Sequence, residues 1–198
     1  MTSEHDNFLD TKIKPPLKEW IHKFSYKENH EQMFTLASGK KSPYYFDLKQ
    51  TLLDPYNLQL AGEGLYYLML KDLGSVPAAA GGLTMGADPL IYALSLLAAE
   101  KSQKILPFIV RKKTKDHGSK NKVEGRLSDI TDKTNLVLID DVITTGGSTI
   151  QALDSFEAIG FTIKHAFCIL DRKEGGAEAL QQRGVLLHPL FTLSDFAE

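Results

Sequence analysis

An apolar run, Val137-Leu138-Ile139, ends in the carboxylate pair Asp140-Asp141, then passes through Val142-Ile143-Thr144-Thr145-Gly146-Gly147-Ser148-Thr149 into a stretch with helical spacing. Such a segment reads as a buried strand, a tight turn and a helix that starts at the glycines. The rest of the chain fits that unit. Strands are predicted at 76–80, 105–110, 136–139, 162–170 and 185–190, and helices at 88–101, 148–159 and 177–183. Continuous apolar strands alternating with helices imply an α/β fold, a mainly parallel sheet with helices on both faces. Ligands of such sheets sit at the carboxyl ends of the strands.

Two helices precede this alternation. Residues 15–24 carry Leu17, Trp20, Ile21 and Phe24 at helical spacing behind Pro15-Pro16, and 55–72 carry Leu58, Ala61, Leu65, Leu68 and Met69 on one face, with Gly74 beyond the end. The first is expected to pack as a flank or small N-terminal hood made from about residues 1–50. With 198 residues, 42% of them hydrophobic and 24% charged, the chain is expected to form one globular domain over 1–198. There is no internal repeat. The longest irregular stretch, 111–134, is of a length that is usually functional or mobile.

A formal charge of −2 gives no general attraction to nucleic acid or an anionic membrane, so anion binding must come from a local cluster. The single cysteine, Cys168, lies in Ala166-Phe167-Cys168-Ile169-Leu170 and reads as a buried strand thiol rather than a nucleophile. Residues 1–10 are polar and acidic, unlike a secretory signal, and the nearly apolar stretch 89–99 is too short for a bilayer. A cytoplasmic location is expected.

The turn after the two aspartates offers consecutive backbone N–H groups and hydroxyls at a helix start, where a phosphate gains hydrogen bonds and a favourable dipole. Asp140 and Asp141 would repel a bare phosphate, so their fitting partners are sugar hydroxyls and a hydrated divalent cation. Together these features describe a ribose 5-phosphate. The bland alternative, a strand stop followed by a helix cap, leaves the five small or hydroxylated residues after the carboxylates unexplained. The Gly-Lys-Ser or Gly-Lys-Thr of nucleotide hydrolases is absent.

Segment 137–148 resembles the phosphoribosyl-diphosphate motif of the type I phosphoribosyltransferases. A second segment narrows the choice. Between 111 and 126 stand seven basic residues, Arg111, Lys112, Lys113, Lys115, Lys120, Lys122 and Arg126, against Asp116 and Glu124. A solvated charge run is the usual reading of such a stretch, but this one follows a strand, contains Gly118 and Gly125, and could close over departing pyrophosphate. Arg111-Lys112-Lys113-Thr114-Lys115-Asp116-His117-Gly118 resembles the catalytic loop of orotate phosphoribosyltransferases, the family to which the similarity over about 33–176 points.

That resemblance implies transfer of ribose 5-phosphate from 5-phosphoribosyl 1-diphosphate to orotate, giving orotidine 5′-monophosphate and pyrophosphate in de novo pyrimidine biosynthesis. It implies catalytic roles for Arg111, Lys112, Lys115, Asp116 and His117. Binding of phosphoribosyl diphosphate is implied for Asp140, Asp141, Val142, Ile143, Thr144, Thr145, Gly146, Gly147, Ser148 and Thr84, the last in the turn Gly81-Gly82-Leu83-Thr84-Met85-Gly86. Orotate binding falls to Tyr45, Phe46, Thr144 and Arg172, although Tyr45 and Phe46 read equally well as core aromatics and Arg172 as a surface cation. Mg²⁺ is the implied cofactor, held mainly by substrate oxygens and water near Asp140 and Asp141, with no direct protein ligand. A homodimer whose subunits share the loop is implied too.

Two residues depart from the family pattern, Ala37 and Met85, where some bacterial members have lysines. A base other than orotate, or a regulator of the same fold that binds RNA or DNA, remain the alternatives. No added nucleic-acid module or second basic face supports the regulator.

Overall fold

The computed structural model describes residues 4–35, 39, 41–113 and 122–197. Among them lies a six-stranded sheet formed by β5 (Ala79–Leu83), β6 (Leu106–Val110), β7 (Val123–Glu124), β8 (Leu136–Ile143), β9 (His165–Asp171) and β10 (Leu186–Thr192). Its order is β10-β9-β8-β5-β6-β7, parallel throughout except for the edge pair β6–β7. Helices α4 (Pro55–Leu73) and α5 (Asp88–Glu100) cover one face, and α6 (Gly147–Glu157) and α7 (Gly176–Gln182) the other. This is the α/β architecture expected from the alternating pattern.

Strand alternation splits the core in two. Val137 and Ile139 of β8 pack with Leu65, Met69 and Ile91 on one side, while Leu136 and Leu138 pack with Leu153 and Phe156 on the other. The parallel order reverses between β8 and β5, which run side by side but leave in opposite directions across the sheet. The carboxyl ends of these two strands therefore frame a crevice, and both glycine-containing turns open onto it.

The N-terminal part is richer than its sequence pattern suggests. Helix α1 (Glu4–Phe8) and a π-helical turn, Leu9–Ile13, precede α2 (Lys14–Phe24), because Leu9 and Ile13 bury fully with Leu17 and Ile21. Two small antiparallel pairs follow, β1 (Tyr26–Glu28) with β4 (Tyr44–Phe46), and β2 (Phe34–Thr35) with β3 (Lys41–Ser42). A short helix, α3 (Lys49–Leu52), joins them to α4. Aromatic packing among Tyr26, Phe46 and Phe196 ties this hood to the C-terminus.

Three expectations shift. The strand placed at 76–80 runs instead from Ala79 to Leu83, taking in Gly81 and Gly82, because its inner face is pressed against Phe156 and the Ile139 carbonyl and tolerates no side chain. The strand placed at 136–139 continues through both aspartates to Ile143, paired with β9 as far as Asp171. The stretch 111–134 is not irregular throughout, since β7 and a 3₁₀ turn, Leu127–Asp129, lie in it. Cys168 is fully buried and free, as its apolar surroundings imply, and burial pushes its thiol well above the ordinary range. No described helix is long and apolar enough to cross a membrane.

Candidate active site

Because successive strand residues face opposite ways, the two aspartates do not stand side by side. Asp140 turns under α6 and is only 5% exposed. Its Oδ2 accepts a hydrogen bond from the Thr149 hydroxyl at 2.9 Å, and its Oδ1 accepts one from the Asp141 N–H at 3.1 Å. Burial, then the charge of Asp141, raises the Asp140 carboxyl to about 8. Asp141 turns toward the start of α5 and is half-buried. A Cβ on Gly86 would lie 2.5 Å from its Oδ1, so the glycine leaves that carboxylate its place.

After β8 the chain turns through Thr144 and Thr145 to Gly146, whose φ of 80° and close approach to the Gly176 backbone require glycine. Helix α6 starts at the next residue, and its first internal bond runs from Ile150 N–H to the Gly146 carbonyl at 2.8 Å. The preceding N–H groups of Gly147, Ser148 and Thr149 have no helical acceptor and present the positive end of the helix dipole. Thr145, Gly147 and Ser148 are exposed there.

Two cavities meet at this point. One, of about 260 Å³, is walled by Thr84, Met85 and Gly86, by Lys112, by Asp140 and Asp141, and by Ser148. The other, of about 240 Å³, has Tyr45, Phe46, Thr144 and Arg172 on its walls. Lys49, Asp141 and Val142 belong to both, so they mark the boundary between a polar compartment and an aromatic one. The first is rimmed by exposed groups, Met85 and Lys112 among them.

The aromatic compartment is built on a buried cation. Arg172 is 3% exposed at the end of β9, its N–H bonded to the Ile143 carbonyl at 2.9 Å. One terminal nitrogen donates to Ser42 Oγ at 3.1 Å, to the Tyr44 carbonyl at 3.0 Å and to Glu174 Oε1 at 2.8 Å. The guanidinium also lies 5.5 Å from the Phe46 ring centre. Its Nε–H is buried without a partner among the described residues. An unsatisfied buried donor costs about 1–3 kcal/mol, and a charged one more, which an anion in the cavity would recover.

The turn after β5 is held by a hydrogen bond from the Thr84 hydroxyl to Asp88 Oδ2 at 2.6 Å and by the Thr84 N–H on the Val110 carbonyl at 2.8 Å. Residues Gly81 and Gly82, assigned to that turn from sequence, belong to β5 itself.

The described residues bring together Asp140, Asp141, Val142, Ser148, Thr84 and Lys112 around one cavity and Tyr45, Phe46, Thr144 and Arg172 around the other. Ile143 is buried in the core, so only its backbone faces this region. Arg111 lines neither cavity and pairs with Glu124 across β6–β7 at 3.3 Å. Lys115, Asp116 and His117 lie outside the described residues, as does Ala37. Sequence reasoning placed the segment ending at Asp47 near the base but left Lys49 unassigned, although it stands three residues beyond Phe46 and lines both cavities.

No group of three or more His, Cys, Asp or Glu suited to a metal occurs among the described residues. One half-buried carboxylate, Asp141, with Asp140 held protonated below pH 8, fits a cation bound mainly by ligand oxygens and water rather than a protein cage.

No protein-family model matches the chain. An orotate phosphoribosyltransferase of Leptospira biflexa is 41% identical over 180 residues, 91% of this chain and 95% of that one. An orotate phosphoribosyltransferase of Aquifex aeolicus is 40% identical over 179 residues, covering 90% and 94% of the two chains. The solved orotate phosphoribosyltransferase of Mycobacterium tuberculosis in complex with 5-phospho-α-D-ribosyl 1-diphosphate superposes with a TM-score of 0.69 at 26% identity, covering 92% of this chain and 98% of that one.

Proposed function

The chain belongs to the orotate phosphoribosyltransferases, and from that premise we propose how its own residues divide the work. It is a pentosyltransferase that joins orotate to the ribose 5-phosphate of 5-phosphoribosyl 1-diphosphate and releases pyrophosphate. The C1–O bond of the ribose breaks with its electron pair leaving on pyrophosphate. Orotate N1 supplies the pair for the new C1–N bond and loses its proton to solvent.

In this reading the ring of orotate lies in the aromatic cavity against Phe46 and Tyr45, and its carboxylate meets Arg172. The observation that carries the assignment is the Arg172 Nε–H, buried and without a partner among the described residues, on a cation that lines the aromatic cavity. Thr144 reaches the ring from the turn. The N–H groups and hydroxyls from Thr144 to Ser148 hold the 5-phosphate at the α6 dipole. Asp141 and Asp140 receive the ribose hydroxyls, and Thr84, Met85 and Gly86 cradle pyrophosphate with Lys112. Arg111, Lys115, Asp116 and His117 belong to the loop that covers the leaving group and keeps water from the activated sugar.

Asp141 is the residue that would stand beside a Mg²⁺ ion held mainly by substrate oxygens and water, and the ion would supply positive charge to the leaving group.

The reading includes a homodimer with the loop of one subunit closing on the other. Its support is an apolar face: Tyr92 and Leu96 stand exposed on α5 beside a groove lined by Pro55, Leu58 and Pro89. Met85, 62% exposed three residues before α5, lines the polar cavity. A second copy seated there would adjoin the site. A cytoplasmic location is consistent with the buried free thiol of Cys168.

The test is loss of orotate absorbance on adding 5-phosphoribosyl 1-diphosphate and Mg²⁺, with adenine, hypoxanthine and uracil in parallel. Orotate alone should be consumed, and Lys115→Ala should slow that by about 10²-fold or more. Consumption of another base instead, or of none by folded protein, would sink the assignment.

A further inference from the structure

Lys49 is the one cation among the described residues that lies on both cavities. Lys112 lines only the polar compartment and Arg172 only the aromatic one. The ends of the scissile bond fall on either side of that boundary, since the base occupies one compartment and pyrophosphate the other. This inference rests on the division of substrates proposed above.

Its backbone is fixed by the α3 turn, where Gln50 N–H bonds to the Asp47 carbonyl at 3.1 Å and Thr51 N–H to the Leu48 carbonyl at 3.0 Å. Leu48, Thr51 and Leu52 anchor that turn in the core. The side chain is half exposed, with Nζ 2.6 Å from Asp47 Oδ1. The hydrogen bond with Asp47 holds the ammonium above its ordinary range against partial burial, and the nearby charge of Asp141 adds to this. The polar cavity has the neutral Met85 in its anion turn and the Asp141 carboxylate in its wall, so a diphosphate there gains from positive charge beyond that of Lys112 and the helix dipole.

We propose that Lys49 is a substrate-contacting residue that leaves Asp47 for the pyrophosphate oxygen as the C1–O bond breaks. Asp47 keeps the side chain poised at the boundary until the stronger, more highly charged acceptor arrives. Lys49 stays protonated throughout. The bond electrons go to pyrophosphate, orotate N1 forms the new bond, and the lysine exchanges one hydrogen-bond acceptor for another.

The test compares Lys49→Gln, Lys49→Arg and Asp47→Asn in the full chain, by calorimetric titration with Mg²⁺ and pyrophosphate, by kcat and KM for orotate, and by melting temperature. Lys49→Gln should weaken pyrophosphate binding at least tenfold and lower kcat about 10²-fold, with KM for orotate changed less than threefold. Lys49→Arg should recover part of both losses. Asp47→Asn frees the lysine and should keep pyrophosphate affinity at or above that of the wild type. A purely structural ion pair predicts something else: Lys49→Gln and Asp47→Asn losing melting temperature and pyrophosphate affinity together. That result, or a Lys49→Gln enzyme that binds pyrophosphate and turns over like wild type, overturns the proposal while leaving the orotate reaction intact. Failure of the wild type to consume orotate would instead strike the assignment of substrates.

Discussion

The two compartments of the site are built in opposite ways. The aromatic one is finished before any ligand arrives: Arg172 is 3% exposed and held by Ser42, Tyr44 and Glu174, and Phe46 is 8% exposed beneath it. The polar one is open, with Met85 62% exposed and Lys112 at the rim. On the division of substrates we propose, base recognition depends on contacts between hood and sheet, and the leaving group is met by cations at the open rim, Lys112 among them. A preorganised half gives selectivity, and an open half lets a charged product leave.

Altering Arg172 should break the comparison most severely. Arg172→Gln leaves Glu174 in a nearly closed wall without its partner, so stability should fall by roughly 3 kcal/mol, read by chemical denaturation. Orotate affinity should fall by about 10²-fold, while Mg²⁺-pyrophosphate still binds at temperatures where the variant is folded. Lys112→Ala should do the reverse, lowering kcat by about 10²-fold with stability and orotate affinity unaltered, because its side chain is exposed. A Lys112→Ala enzyme that lost orotate binding would show that the compartments are not separate.

Asp140 sharpens the picture of the polar side. Its carboxyl is raised to about 8 by burial and by Asp141, so the folded protein holds a proton that the unfolded chain releases near pH 4. Stability from this group is present below pH 4 and is lost as pH rises toward 8. Asp140→Asn, which keeps an acceptor for Thr149, should match the wild type near pH 4 and exceed it by on the order of 2 kcal/mol at pH 8. Denaturation at the two pH values checks this, and a gap that fails to widen between them would contradict it. The smallest effect is expected from Gly86→Ala, whose Cβ would displace the Asp141 carboxylate by a few tenths of an ångström or more. Affinity for 5-phosphoribosyl 1-diphosphate should drop about tenfold, or about 1.4 kcal/mol, with orotate affinity kept.

The same contrast explains what the sequence disclosed. The polar compartment was legible because one contiguous segment, 137–149, carries strand, carboxylates, turn and helix start, and local spacing suffices to read it. Even there the strand ran on to Ile143, since pairing with β9 outweighs the low strand preference of two aspartates. The aromatic compartment was half legible. Arg172 read equally well as a surface cation because its burial comes from contacts 128 and 130 residues away, which no local pattern encodes. Lys49 was missed for the same reason: it meets Asp141 only after the hood folds back over β8. The glycines of β5 were read as a turn because their true cause, the packing of Phe156 and Ile139 against them, is again long-range.

The most direct test of this division is a crystal structure with orotate and Mg²⁺-pyrophosphate bound together. The account predicts the orotate carboxylate within hydrogen-bonding distance of Arg172 Nε, its ring against Phe46, and pyrophosphate beyond Asp141 beside Thr84 and Gly86. Orotate found on the Met85 side of Asp141, or Arg172 Nε still without an acceptor, would contradict it.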